Sequence, residues 1–239
     1  MRLAATVLSA IIFLSSPSIS NENKIPVDLE LAFVTDASGS IDEEEMSLQR
    51  KGYADALTNP RVLNSIKSGF LGSIAVTFIE FSGAGCSKIM IDWTKIFDRA
   101  SARKFAQKLQ SSPRSQCFGG NAIGEAVALA IQSLEGNQFE GTRRVIDVSG
   151  DGPNTLDPPI EMVRNMAIKR RVTINALAIN RPSMPDLPDY FRTNVIGGPG
   201  SFVIQAESRE AFAEAILKKI IREIVQNRNV KKTLAKTIP

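Results

Sequence analysis

Apolar positions along the chain follow two rhythms. Short runs at 28–35, 73–81, 143–149 and 172–179 have strand length without clean alternation, which predicts strands covered on both faces. Between them lie stretches with a helical period. Met46, Tyr53 and Leu57 share one face of a helix predicted over 42–57. Its first turn is acidic (Asp42, Glu43, Glu44, Glu45), which suits the helix dipole. Asn59-Pro60 breaks it, and a short helical segment at 61–68 stops at Gly69. Phe105 and Leu109 face inward from a helix at 101–110. Ile123, Ala126, Val127, Ala130, Ile131 and Leu134 make the most regular stripe, ended by Gly136-Asn137. Further helices are predicted at 159–169 and 208–225. The last has Phe212, Ile216, Ile220 and Ile224 four apart, with Ser208 as its N-cap. Short strands at 88–91 and 202–204, a short segment at 190–195 and a loop at 181–189 with three prolines complete the pattern.

The six residues 82–87 are too few for a parallel crossover, so 73–81 and 88–91 should form an antiparallel hairpin, with 88–91 a short edge strand. Elsewhere strands and helices alternate. The expected fold class is α/β: a mostly parallel six-stranded sheet with one antiparallel edge strand and helices on both faces. No internal repeat or second domain is visible.

Composition sharpens this picture in a few places. The 239 residues suit one domain. Histidine is absent, which excludes Ser-His-Asp and Cys-His catalysis. Residues 1–20 read as a secretory signal peptide: Arg2, an apolar core at 3–14, and small residues Ser18 and Ser20 before Asn21. A lead-in at 21–26, a domain at 27–225 and a basic tail at 226–239 follow. The tail carries Arg228, Lys231, Lys232 and Lys236 and no acid, and reads as a solvated terminus. No later run approaches the ~18 apolar residues of a membrane span. The expected location is therefore outside the cytoplasm, periplasmic or secreted. Cys86 and Cys117 are the two cysteines, and in an exported chain they suggest one disulfide, worth roughly 3–4 kcal/mol by loop entropy. The alternative is a pair of free thiols.

Candidate chemistry gathers at strand ends. The run 29–36 stops at Asp36, and Ser38 and Ser40 follow at steps of two, with Gly39 between them. Asp151 sits just after the strand at 143–149, and Asn121 opens the periodic helix within Gly119-Gly120-Asn121. Parallel strands place their carboxyl ends together, so the first and third loops should be neighbours. Two carboxylates, two hydroxyls and an amide are hard oxygen donors that suit Mg²⁺, with Mn²⁺ or Ca²⁺ as alternatives, rather than zinc or copper. The competing reading is a capped turn without metal, with Ser40 and Glu43 as a capping box. The glycines at 119–124 resemble a phosphate cradle, but no Gly-Lys-Ser/Thr follows and the dinucleotide spacing is absent. Asp147, mid-strand, should be buried with a structural partner such as Arg143, Arg144 or a backbone donor. Trp93 reads as core.

Asp36-Ala37-Ser38-Gly39-Ser40 resembles the DxSxS signature of von Willebrand factor A domains, which carry a metal-ion-dependent adhesion site (MIDAS). The stretches 143–154 and 196–202 further resemble a bacterial family of exported, uncharacterised von Willebrand A-like proteins. The resemblance covers 27–224 and implies a Rossmann-like fold. It implies that Ser38 and Ser40 bind a metal directly and that Asp36 and Asp151 hold it partly through water. The family usually has threonine where Asn121 stands here, and an amide oxygen can still ligate a hard cation. Many relatives also read threonine where Ser149-Gly150 precede the aspartate. The implied function is a non-enzymatic binding module that captures an Asp or Glu carboxylate of a protein partner, not nucleic acid, at the metal. Two alternatives belong to other classes: a metal-independent interaction domain, and a Mg²⁺-dependent hydrolase. The hydrolase lacks a second acid two residues after Asp36, where Ser38 stands.

Overall fold

Alternating positions of each central strand feed two different cores. Leu29, Leu31 and Phe33 point into one, and Ala32 and Val34 into the other. This is why the strand runs read as continuously apolar: all eight residues of β2 (Leu29–Asp36) and of β3 (Ile74–Phe81) are buried. The computed structural model describes residues 24–113, 117, 119–208 and 211–225. The expected signal peptide at 1–20 and the basic tail at 226–239 lie outside the described residues.

After β1 (Ile25–Val27) and β2, the chain forms α1 (Glu43–Thr58), α2 (Pro60–Lys67), β3, β4 (Lys88–Ile96) and α3 (Arg99–Ser111). Then follow α4 (Ile123–Gly136), β5 (Phe139–Gly141), β6 (Arg144–Gly150), α5 (Ile160–Lys169) and β7 (Val172–Ile179). The last elements are α6 (Leu187–Tyr190), a π turn (Phe191–Val195), β8 (Val203–Ala206) and α7 (Phe212–Val225). The main sheet has the order β4-β3-β2-β6-β7-β8, with only the β3–β4 pair antiparallel. The α/β class, the six strands and the antiparallel edge are as the sequence predicts. One core packs α1, α2, α3 and α7 on the sheet, and the other packs α4 and α5.

Several details differ from the sequence reading. β4 runs to Ile96 rather than stopping near 91, because its polar residues Lys88, Asp92, Thr94 and Lys95 sit on a half-exposed edge. Part of the expected polar lead-in is a strand: β1 pairs with β5 in a small second sheet, where Val27 packs against Ala75 and Phe139. The partner of buried Asp147 is Lys219 of α7. Arg143 and Arg144 serve helix ends instead. Arg143 Nη2 donates to the Glu223 carbonyl of α7 at 2.6 Å, and Arg144 donates to the Arg170 carbonyl after α5. Trp93 is half-buried, and its indole N–H donates to Ser133.

Candidate metal centre

The sheet order turns back at β2: β3 lies on one side of it and β6 on the other. In an open α/β sheet that switch point leaves a crevice at the carboxyl ends of the two diverging strands. Asp36 is the last residue of β2, and Asp151 follows the last residue of β6. The two are buried side by side, at 2% and 3% exposure.

Local chemistry shapes the first loop. Asp36 Oδ1 accepts from the Ser38 N–H at 2.8 Å, which bends the chain immediately after the strand. The Ala37 N–H donates to the Phe81 carbonyl at 2.8 Å and holds the loop to β3. Ser38 and Ser40 then face the same point, their hydroxyl oxygens 2.9 Å apart. Ser40 Oγ donates to Asp151 Oδ1 and Oδ2 at 3.1 and 3.2 Å. The expected pairing of Ser40 with Glu43 is not how α1 is capped. Asp42 accepts from the Glu45 N–H at 2.8 Å, and Glu45 accepts from the Asp42 N–H at 2.9 Å. The cap thus leaves the serine hydroxyls to the crevice.

The second and third loops are tied to each other. Asn121 and Thr155 exchange two bonds of 2.9 Å: the Thr155 N–H donates to the Asn121 carbonyl, and the Asn121 N–H donates to Thr155 Oγ1. The Asn121 amide lies over Gly152, where an added Cβ would come within 2.3 Å of its nitrogen. Helix α4 begins at Ala122 without a side-chain cap of its own. Asn154 supplies one from the third loop, its Oδ1 accepting from the Gly124 N–H at 2.9 Å. The rim beside these loops is crosslinked by the Cys86–Cys117 disulfide, Cα–Cα 5.8 Å, as the exported-chain reading predicts. Glu125 of α4 accepts from the Gly85 and Ser87 N–H groups and fixes the same rim.

The structure therefore joins Asp36, Ser38, Ser40 and Asp151 in one hydrogen-bonded cluster, while Asn121 contacts Gly152 and Thr155 of the third loop rather than any of the four. Burial, and next the negative charge of Asp151, raise the Asp36 carboxyl to about 7, against the pull of its hydrogen bonds from Ser38. Asp36 Oδ2 is buried without a hydrogen-bond partner. An orphaned carboxylate oxygen beside a second acid and two hydroxyls is a donor set that fits a hard dication. Among the described residues no three His, Cys, Asp or Glu side chains come together to hold a metal.

One residue here escaped the sequence reading. Arg181, just beyond β7, forms an ion pair with Asp151 and donates from Nη2 to the Ser40 carbonyl at 2.9 Å. Its only sequence signal is position, since β7 ends at the same edge of the sheet as β2 and β6.

The chain matches the family described as "Protein of unknown function (DUF1194)" over residues 26–228. No curated protein matches it. Proximal thread matrix protein 1 from the mussel byssus has a similar structure, with TM-score 0.59 at 16% identity over 85% of this chain and 47% of that one. A structure of that mussel protein with a zinc-occupied MIDAS motif also has TM-score 0.59, at 17% identity over 83% and 46%. The pilus adhesin SpaC from Lactobacillus rhamnosus GG, in its open conformation, gives 0.58 at 17% identity over 86% and 30%. A von Willebrand factor type A structure from Catenulispora acidiphila gives 0.55 at 12% identity over 83% and 43%. The chain thus spans less than half the length of each of these neighbours, and at these identities the likeness is one of fold. By that match and that fold, the chain belongs to the DUF1194 family of unknown function and is built as a von Willebrand factor A domain.

Proposed function

We propose that the chain is an exported, non-enzymatic binding module that captures an acidic group of a protein partner through a divalent metal at the switch-point crevice. The observation that carries this reading is the unpartnered, buried Asp36 Oδ2 next to Asp151. In this proposal Ser38 and Ser40 offer hydroxyl oxygens, Asp36 and Asp151 supply the charge, and the Asn121 amide oxygen closes the set from the second loop. A bound dication supplies a coordination position that a partner's Asp or Glu carboxylate can fill. Ser40 is exposed while Asp36 and Ser38 are buried, so the cluster opens to solvent on one side. The mussel neighbour with zinc in its MIDAS motif and the pilus adhesin support a metal-dependent binding role. Mg²⁺ is the expected ion, with Mn²⁺, Ca²⁺ and zinc as competitors in the test.

Export rests on the leader-like residues 1–20 and the disulfide, together with the absence among the described residues of a helix long and apolar enough to cross a membrane. The periplasm of a bacterium is the proposed destination. A domain over 27–225 followed by a basic tail sequence at 226–239 completes the proposed organisation. A metal-independent interaction domain is the second reading, and one observation favours it: Arg181 already neutralises Asp151.

The deciding experiment is a thermal-shift titration of the purified chain with each ion against EDTA, beside Asp36→Ala. An ion that binds the native state raises the melting point, by about 2.7 kcal/mol of added stability at a hundred times its Kd. The expected result is a rise in the parent that Asp36→Ala abolishes while remaining folded. No rise with any ion transfers the argument to the metal-independent reading.

A further inference from the structure

Arg181 reaches back over the crevice from two residues past the end of β7. Its guanidinium pairs with the Asp151 carboxylate, and its Nη2 also holds the Ser40 carbonyl at 2.9 Å. Ser40 Oγ meanwhile donates to both oxygens of Asp151. One side chain therefore clamps the first loop to the third, at the two residues that the proposed metal site takes from those loops. A guanidinium keeps its charge at any ordinary pH and has only donors, so it cannot share a carboxylate with a dication without bringing two cations together.

Exposure is unequal across the pair. Asp151 is 3% exposed and anchored at the end of β6, whereas the Arg181 side chain is 29% exposed on a loop that continues through Pro182 and Pro185. When a second cation enters, the arginine is the partner that can leave. Asp36 adds to the contrast. Its Oδ2 stays unpartnered, so the arginine answers only one of the two acids.

We propose that Arg181 is a tethered counter-cation that occupies Asp151 and must swing out before a divalent metal binds, so that loading the site releases the 181–186 loop. The inference rests on the reading that the crevice takes a dication, and it deepens that reading by naming what regulates entry. Partner capture then depends on a loop that changes state with the metal.

The test is a calorimetric Mn²⁺ titration of the full chain, of Arg181→Ala and of Arg181→Gln, with hydrogen exchange followed over 180–187. Arg181→Gln keeps most of the side-chain volume and removes the charge. The expected result is Mn²⁺ binding about tenfold tighter in both variants, within the usual range for coupling between two ligands. In EDTA both variants should melt lower than the parent, because Asp36 and Asp151 then face each other without a cation. In the parent, Mn²⁺ should raise exchange over 180–187. Parent-like or weaker affinity in both variants, with the parent still binding, overturns the inference and leaves the metal site standing. Unchanged exchange over 180–187 on saturation overturns the release of the loop. Loss of Mn²⁺ binding in all three proteins overturns both this inference and the proposed function.

Discussion

As a ligand of the proposed metal site, Asp36 sits where two requirements conflict. A metal ligand must be ionised, yet burial and the adjacent Asp151 favour its protonated form, with a carboxyl near 7. Ser38 of its own loop donates to it, Asp151 just past β6 faces it, and Arg181 and Ser40 bond Asp151 in turn. The sign of the pH effect follows. The folded-state value lies above the ordinary carboxylate value of 3.8, so the folded protein binds the extra proton between those limits. In chelator, this residue's contribution to stability is therefore fully present at low pH and lost as pH rises through about 7. Metal affinity runs the other way, weakening about tenfold for each pH unit below that point, because proton and metal compete for one carboxylate. Melting curves at pH 6 and pH 8, with and without Mn²⁺, should show the larger metal-induced shift at pH 8. Equal shifts would mean that Asp36 is ionised throughout. At this scale the legible residues were those fixed by a strand end. Asp36 and Asp151 each close an apolar run, and Ser38 and Ser40 follow at a spacing that chemistry recognises. Arg181 was not legible, because its partner lies thirty places back and its own neighbourhood shows only prolines and charge.

Helix α4 shows how an element can depend on a loop far along the chain. Its regular apolar stripe was readable directly, and all six residues of that stripe are buried. Its start was not, because Ala122 offers no capping oxygen and the cap comes from Asn154, thirty positions beyond the Gly124 N–H that it accepts from. Asn154 does more than cap. Its Nδ2 donates to the Leu156 carbonyl at 2.7 Å, and its N–H donates to the Tyr190 hydroxyl at 3.0 Å. Asn154→Ala should therefore cost about 1 kcal/mol of stability, the usual value of an N-cap, in a urea titration. It should also weaken metal binding, because the second and third loops lose a tie. A stability loss with unchanged metal affinity would confine Asn154 to the helix. The elements that sequence misjudged share one cause. β1 and β5 are three residues each, too short for any period to show, and β4 is an edge strand whose exposed polar residues interrupt its apolar run. Regularity was legible where a face is wholly buried, and faded wherever an element is half in water.

Across the described residues the two cores lie on opposite faces of one sheet, and α7, the last described element, packs in the same core as α1 and α2. Its apolar stripe was legible as Phe212, Ile216, Ile220 and Ile224, the last only half-buried, and the buried face also includes Lys219 and Glu223. Lys219 pairs with Asp147 of β6 and, at 3.3 Å, with Glu223, and none of the three side chains is exposed. Asn175 of β7 joins them, donating to Glu223 at 3.2 Å and accepting from the Phe202 N–H at 3.0 Å. A buried pair of this kind contributes little net stability over an apolar replacement, yet removing one member strands the other. Lys219→Met leaves two carboxylates in the core with no cation between them, and should cost about 3–5 kcal/mol in urea unfolding. The double variant Asp147→Asn, Lys219→Met removes the stranded acid on β6 and should recover most of that loss. If the single variant cost under about 1 kcal/mol, the lysine would not be an ion-pair partner in the folded chain but a neutral amine filling space. Recovery in the double variant would instead make the pair a device of placement. Lys219 faces Asp147 on the central strand β6, so the ion pair joins α7 to the sheet at one fixed point.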